Sequence, residues 1–209
     1  MPSTRRARAS YGEQHVIDIA FPLDESHREQ AGLIYYEAFR RKLQPLTGKP
    51  AQTRALLTAG LNLDRVMGAL EEGKLLGIAG LHSHEGTFVR ITLRKSIAAL
   101  GVARGFGAWV GLNLLAAGLS CPTGVLRIAA LAVDPIARGR GVGSRLLEAV
   151  SDKARCEGFH TVRLEVVDTN TGARQLYERM GFTVVTTHHY PLIRNWLGFS
   201  GEHVMVKPP

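Results

Sequence analysis

The chain lacks what several large function classes require. It has only two cysteines, Cys121 and Cys156, far apart and without ligand spacing. That rules out a disulfide framework and argues against a zinc site, so no metal is expected. Arg5, Arg6 and Arg8 lie near the start, but no apolar core follows them, so residues 1–14 do not read as a secretory signal. They read as a disordered basic tail, and a reducing, cytoplasmic setting is expected. Acids are scarce: 18 Asp and Glu face 26 Lys and Arg, for a formal net charge of +8. No Lys/Arg stripe with interleaved aromatics accompanies that charge, which argues against nucleic-acid binding. The excess suits acidic ligands such as phosphates, or a solvated basic surface.

Long apolar runs are also missing, with one near exception. Gly105 to Leu126 carries no charge and approaches the ~20 residues that span a bilayer. Asn113, Ser120, Pro122 and Thr123 interrupt it, and several glycines dilute it. It reads first as a buried or partner-facing helix pair and second as a peripheral membrane contact, because Arg90, Arg94, Lys95 and Arg104 precede it with no acid among them. No repeat, low-complexity segment or linker appears, so residues 15–209 read as one domain.

What is present has alternating α and β character. His15–Ile19 reads as a strand and Glu25–Leu43 as an amphipathic helix with Asp24 as its cap. Pro45–Pro50 ends that helix, and Leu56–Leu61 reads as a second short one. Arg65–Glu71 and Leu75–His82 form a hairpin about Glu72-Gly73-Lys74. Phe88–Gly118 reads as helical. Leu126–Val133 is apolar on both faces, as a central strand is. Gly143–Glu157 is a helix, Thr161–Val167 a strand parallel to the one before it, and Asn170–Met180 a helix stopped by Gly181. Phe182–His188 and His203–Lys207 close the sheet.

The most informative stretch joins the central strand to its helix: Val133-Asp134-Pro135-Ile136-Ala137-Arg138-Gly139-Arg140-Gly141-Val142-Gly143. Glycines let a turn pass close to a ligand. The amides that open the following helix are unpaired, and the helix dipole adds positive charge. Such a place suits a pyrophosphate. With Leu131-Ala132-Val133 before the loop, Asn170 to Ala173 after it, and Leu176-Tyr177-Glu178-Arg179-Met180-Gly181-Phe182 further on, the chain resembles the GCN5-related N-acetyltransferases. The match is good over Leu126–Lys207; before residue 90 it rests on element order.

That resemblance implies a single α/β domain. Its sheet would be mixed and mostly antiparallel, with a splayed central parallel pair and helices on both faces. It implies acetyl transfer from acetyl-CoA to a primary amine by direct attack. Arg138, Gly139, Arg140, Gly141, Val142, Gly143 and Ser144 would hold the pyrophosphate, Leu131, Ala132 and Val133 the pantetheine arm by main-chain pairing, and Asn170 and Ala173 the thiol end. Tyr177 would protonate the departing thiolate; read from the residues alone, it is equally a core aromatic. Family members often carry Glu on the strand before the loop, but this chain has Arg127-Ile128-Ala129-Ala130 there. Glu165 instead stands where the ribosomal-protein alanine acetyltransferase branch has its proposed base. It reads either as that base, directly or through water, or as an ion-pair partner of Arg163 or Arg127. His188-His189-Tyr190-Pro191 also resembles that branch and would make Tyr190 a wall of the acceptor pocket.

Residues 92–122 depart from the family pattern as a helical insertion between the third and fourth strands. It reads first as added core and second as an acceptor lid, with a homodimer surface or a contact with lipid as further alternatives. The acceptor is either a peptide N-terminus or lysine, or a small amine. The rival is a non-catalytic acyl-CoA-binding module or partner subunit.

Overall fold

The computed structural model describes residues 16–47, 49–117, 121–190 and 198–209. The expected basic tail, residue 15 and Pro191 lie outside the described residues. Seven strands form one sheet in the order β1-β2-β3-β4-β5-β7-β6. The strands are β1 (Asp18–Ala20), β2 (Val66–Glu71), β3 (Lys74–His82), β4 (Val125–Val133), β5 (Thr161–Val167), β6 (Thr183–His189) and β7 (Gly201–Lys207). Among the described residues only β4 and β5 pair in parallel; the other neighbours are antiparallel. The helices are α1 (Arg28–Thr47), α2 (Pro50–Gly60), α3 (Leu93–Leu100), α4 (Val102–Ala117), α5 (Val142–Cys156) and α6 (Thr171–Arg179).

Helices cover both faces. Leu146, Leu147, Val150 and Ala154, spaced along one side of α5, are 0% exposed and pack on Met67, Ala79, Leu126, Ile128 and Leu164. Each buried leucine contributes about 1.5–3 kcal/mol. On the opposite face Ala31 and Ile34 of α1 meet Val66, Leu75, Ile78, Ala130 and Ala132. Arg28 ties α1 to the end of α2 by donating to the carbonyls of Thr58 (3.0 Å) and Leu61 (2.9 Å).

Two bulges set which face each strand segment serves. Ala69 pairs with Gly77 but Leu70 with Leu75, so Leu76 is an extra residue on β3. Gly80 pairs with Ala130 but Leu81 with Ile128, so Ala129 is extra on β4. An extra residue inverts the two-residue alternation. Leu126 and Ile128 therefore lie under α5, while Ala130 and Ala132 lie under α1.

Three expectations shift. The first helix continues past Pro45 to Thr47, and the chain re-enters helix at Pro50. A proline forfeits a single backbone bond, which a helix tolerates near its end. The second helix starts at Pro50, not Leu56. The apolar segment becomes helical only at Leu93, where Thr92 caps it by accepting from Lys95 N (3.3 Å), and it breaks at Gly101, whose φ is 79°.

Candidate active site

The loop after β4 is built from its own turn chemistry. Asp134 accepts from Ile136 N at 2.9 Å and seeds a turn over Pro135–Ala137. Gly139 and Gly141 then take φ of 76° and 80°, left-handed values that cost other residues energy. Gly141 caps α5, and the first helical bond runs from Arg145 N to Gly141 O at 3.0 Å. Six successive N–H groups, from Gly139 to Ser144, thus find no acceptor among the described residues. Successive free amides at a helix start form an anion nest. Arg138 is exposed beside it, without an ion-pair partner among the described residues. Arg140, also expected to face a phosphate, pairs with Glu71 at the end of β2.

The nest opens on a wedge in the sheet. Strands β4 and β5 pair from Val125 with Thr161 to Ile128 with Leu164, and no further. Beyond that point Leu131, Ala132 and Val133 pair only with β3, and Glu165 to Val167 only with β7. Each strand therefore turns one free main-chain edge towards the gap. The bulge at Ala129 coincides with the parting of the strands.

On the α5 side, α6 borders the gap. Asn170 caps α6 through its side-chain oxygen, which accepts from Ala173 N at 3.2 Å. Its amide nitrogen stays free among the described residues. Ala173 packs at the margin of the core. Tyr177 is 7% exposed, its ring edge-on to Phe182 at 6.0 Å. Burial pushes its phenol up to about 12, and its hydroxyl has no hydrogen-bond partner among the described residues. A Cβ on Gly143 would lie 3.1 Å from Leu176, so the nest and the residue beside Tyr177 touch.

The opposite face of the wedge carries the polar residues. Glu165, the first β5 residue past the last pair with β4, accepts from Arg127 Nε at 2.7 Å and from Arg163 Nε at 3.0 Å. Both of its oxygens are thus engaged by guanidinium groups. Arg127 is 8% exposed, and its buried Nη1 has no acceptor among the described residues. Neighbouring His82 is held below its usual pKa by burial first and by Arg127 second. Cys121 directs its thiol at the Val125 carbonyl, 3.1 Å away.

Tyr190 donates to Glu202 Oε1 at 3.0 Å and stacks on His188. Burial, then this bond, raises its phenol pKa. Glu165 pairs with Val204 in the β5–β7 ladder, so Glu202 lies two residues along β7 on the same face. Glu202 has no cationic partner among the described residues. Sequence reasoning passed over Glu202. Its signal was the alternation of β7, but its partner arrives from the far end of the β6–β7 connection.

Residues 33–182 match the profile of the Acetyltransferase (GNAT) family. A mycothiol acetyltransferase of Beutenbergia cavernae is 47% identical over 58 residues, 28% of this chain and 20% of that protein. A ribosomal protein bS18-alanine N-acetyltransferase of Haemophilus ducreyi is 38% identical over 64 residues, 30% of this chain and 44% of the relative. The chain thus spans less than half the length of these curated relatives. In fold it is similar to the ribosomal-protein-S18-alanine N-acetyltransferase from Escherichia coli, with a TM-score of 0.53 and 18% identity over 92% of this chain and 94% of the other. It is also similar to a GCN5-related N-acetyltransferase from Kribbella flavida, with a TM-score of 0.55 and 21% identity over 92% and 98%. With the family profile covering most of the chain, and the nest, wedge and helix order in place, this protein belongs to the GNAT acetyltransferase family.

Proposed function

We propose that the protein is an N-acetyltransferase that moves acetyl from acetyl-CoA to a primary amine. The observation that carries this is the run of six free amides from Gly139 to Ser144, at the mouth of the wedge between β4 and β5. A diphosphate fits a nest of that kind, and an extended amide-bearing arm fits the free edge of Leu131–Val133. Arg138 adds charge at the rim. Arg140 acts on the loop through its pair with Glu71. Asn170, capping with its oxygen, keeps an amide donor for the arm, and Ala173 lines its path. Acetyl-CoA, when bound, supplies the thioester.

Tyr177 supplies the proton. Its raised pKa keeps the phenol protonated through the neutral range, and its hydroxyl has no hydrogen-bond partner among the described residues. As the amine nitrogen bonds to the carbonyl carbon and the C–S bond breaks, Tyr177 protonates the sulfur, and the proton the nitrogen then sheds restores the phenol.

The amine arrives largely as ammonium and must lose a proton. Arg127, Arg163 and Glu165 together carry one net positive charge, which repels a cation. Glu202 accepts from a neutral phenol and has no cationic partner among the described residues. In this reading Glu202 and Tyr190 receive the amine and Glu202 takes the proton. That moves the base from Glu165, where the resemblance put it, to the next strand. Glu165 then fixes the mouth of the wedge through its two arginines.

The test is thiol release from acetyl-CoA with a panel of primary amines: a peptide with an N-terminal alanine, a lysine peptide and small diamines. The alanine peptide comes first because relatives are named for alanine of ribosomal protein bS18. Release that requires an amine supports the reading. Binding of CoA without release for any amine would identify a non-catalytic acyl-CoA module, and absence of binding would end the proposal.

A further inference from the structure

We propose that the α3–α4 hairpin docks the protein on an anionic lipid surface, with the outward face of α4 lying in the interface. The sequence put inward packing of this segment first and lipid contact among the alternatives, and the described part of the hairpin carries features of both. Its inner side is made of small residues. Ser96 donates to the Gly105 carbonyl at 2.8 Å, and a Cβ on Gly105 would stand 2.6 Å from Ile97 Cα. The two helices therefore meet backbone to backbone, with Leu100 and Ala108 closing the contact on Leu56 of α2. Among the described side chains of α4, two large apolar ones are left outside. Val102 is 73% exposed and Phe106 is 55% exposed, with Phe106 leaning on Trp109 at 6.2 Å between centroids. A helix that serves only as core would place Phe106 where Gly105 is.

Charge identifies the occupant. From Gly86 to Leu126 the chain has no Asp or Glu, yet it has Arg90, Arg94, Lys95 and Arg104. Lys95 is tied down, donating to the Ala59 carbonyl at 2.6 Å. Arg90, Arg94 and Arg104 are exposed and have no acidic partner among the described residues. A second copy docked through this hairpin would set two segments that carry only positive charge against each other. An anionic lipid surface supplies the missing charge and accepts Val102 and Phe106 between its headgroups. The segment lies on the bilayer and does not cross it: α4 has 16 residues, and no described helix is long and apolar enough to span a membrane. Because α3 packs on α2 and α4 on α1, docking would bring the α1 face of the sheet, the side of Glu165 and Tyr190, near the bilayer. An acceptor amine held at a membrane would then be within reach.

The experiment is co-sedimentation of the full chain with phosphatidylcholine vesicles, and with vesicles that also hold phosphatidylserine at about one lipid in three. Binding is expected only to the second kind, and high salt should weaken it. F106S and the double variant R94E/R104E should each weaken it about tenfold or more, with melting temperature unchanged. No binding to anionic vesicles overturns the proposal. So does binding that F106S leaves intact. A concentration-dependent dimer that F106S dissociates would assign the face to a second copy instead.

Discussion

Replacing Glu165 by Gln keeps the shape of the side chain and removes its charge, so it separates the two roles open to this residue. Arg127, at 8% exposure, would remain as a buried cation facing a neutral amide. Its Nη1 already lacks an acceptor among the described residues, so it has little else to lean on. Breaking a buried ion pair by removing one partner costs about 3–5 kcal/mol. The Arg163 side chain is 34% exposed and stays partly hydrated, so it adds under about 1 kcal/mol. Against a total stability of about 5–15 kcal/mol, the loss is large, and at about 2–4 °C per kcal/mol the melting temperature should fall by at least 6 °C. Urea unfolding of the wild type, E165Q, R127M and the double variant measures it. The double variant should recover much of the loss, because no charge is then stranded. A loss in E165Q below about 1 kcal/mol, with acetyl transfer down a hundredfold, would refute this account and return Glu165 to the role of base.

Tyr177→Phe should lower kcat by about a hundredfold or more and leave KM for acetyl-CoA within twofold, as steady-state thiol release would show. The same substitution should change alkaline stability. The folded protein keeps the Tyr177 proton to about pH 12, whereas an unfolded tyrosine loses it near 10, so stability is intact below 10 and falls from 10 to 12. The variant should escape a share of that fall, on the order of 2–3 kcal/mol, in urea titrations across that range. Gly139→Ala with Gly141→Ala meets open space but forces two left-handed residues, at about 1–2 kcal/mol each, and should raise KM for acetyl-CoA about tenfold or more while kcat moves less. Gly80→Ala would set a Cβ 2.4 Å from the Phe88 ring and should cost about 1–3 kcal/mol in thermal melts; an unchanged melt would show that Phe88 yields freely.

Elements governed by local signals were legible in the sequence. β5 spans Thr161–Val167 as its alternation indicates, and α5 begins one residue before Gly143. The hairpin closes over Glu72 and Gly73, both with positive φ, as its turn residues require. The nest could be located because glycines mark it. The bulge at Ala129 could not, since a strand apolar on both faces hides a change of phase. The engagement of Glu165 by two arginines was foreseeable only as one of two options, because it depends on which residues share a face across two strands. The outward turn of α4 was hidden for a related reason: composition reports how apolar a helix is, but not which side of it faces the protein.

The bulge at Ala129 makes β4 two short strands with opposite allegiances. Even-numbered Leu126 and Ile128 of its first half face the α5 layer, and even-numbered Ala130 and Ala132 of its second half face the α1 layer. Drop that one alanine, and the strand would not simply shorten. Every side chain on one half would swap sides, bringing leucine and isoleucine up against the helices that now rest on small alanines. The chain thus measures β4 by parity rather than by length, and a change of two residues would disturb it less than a change of one.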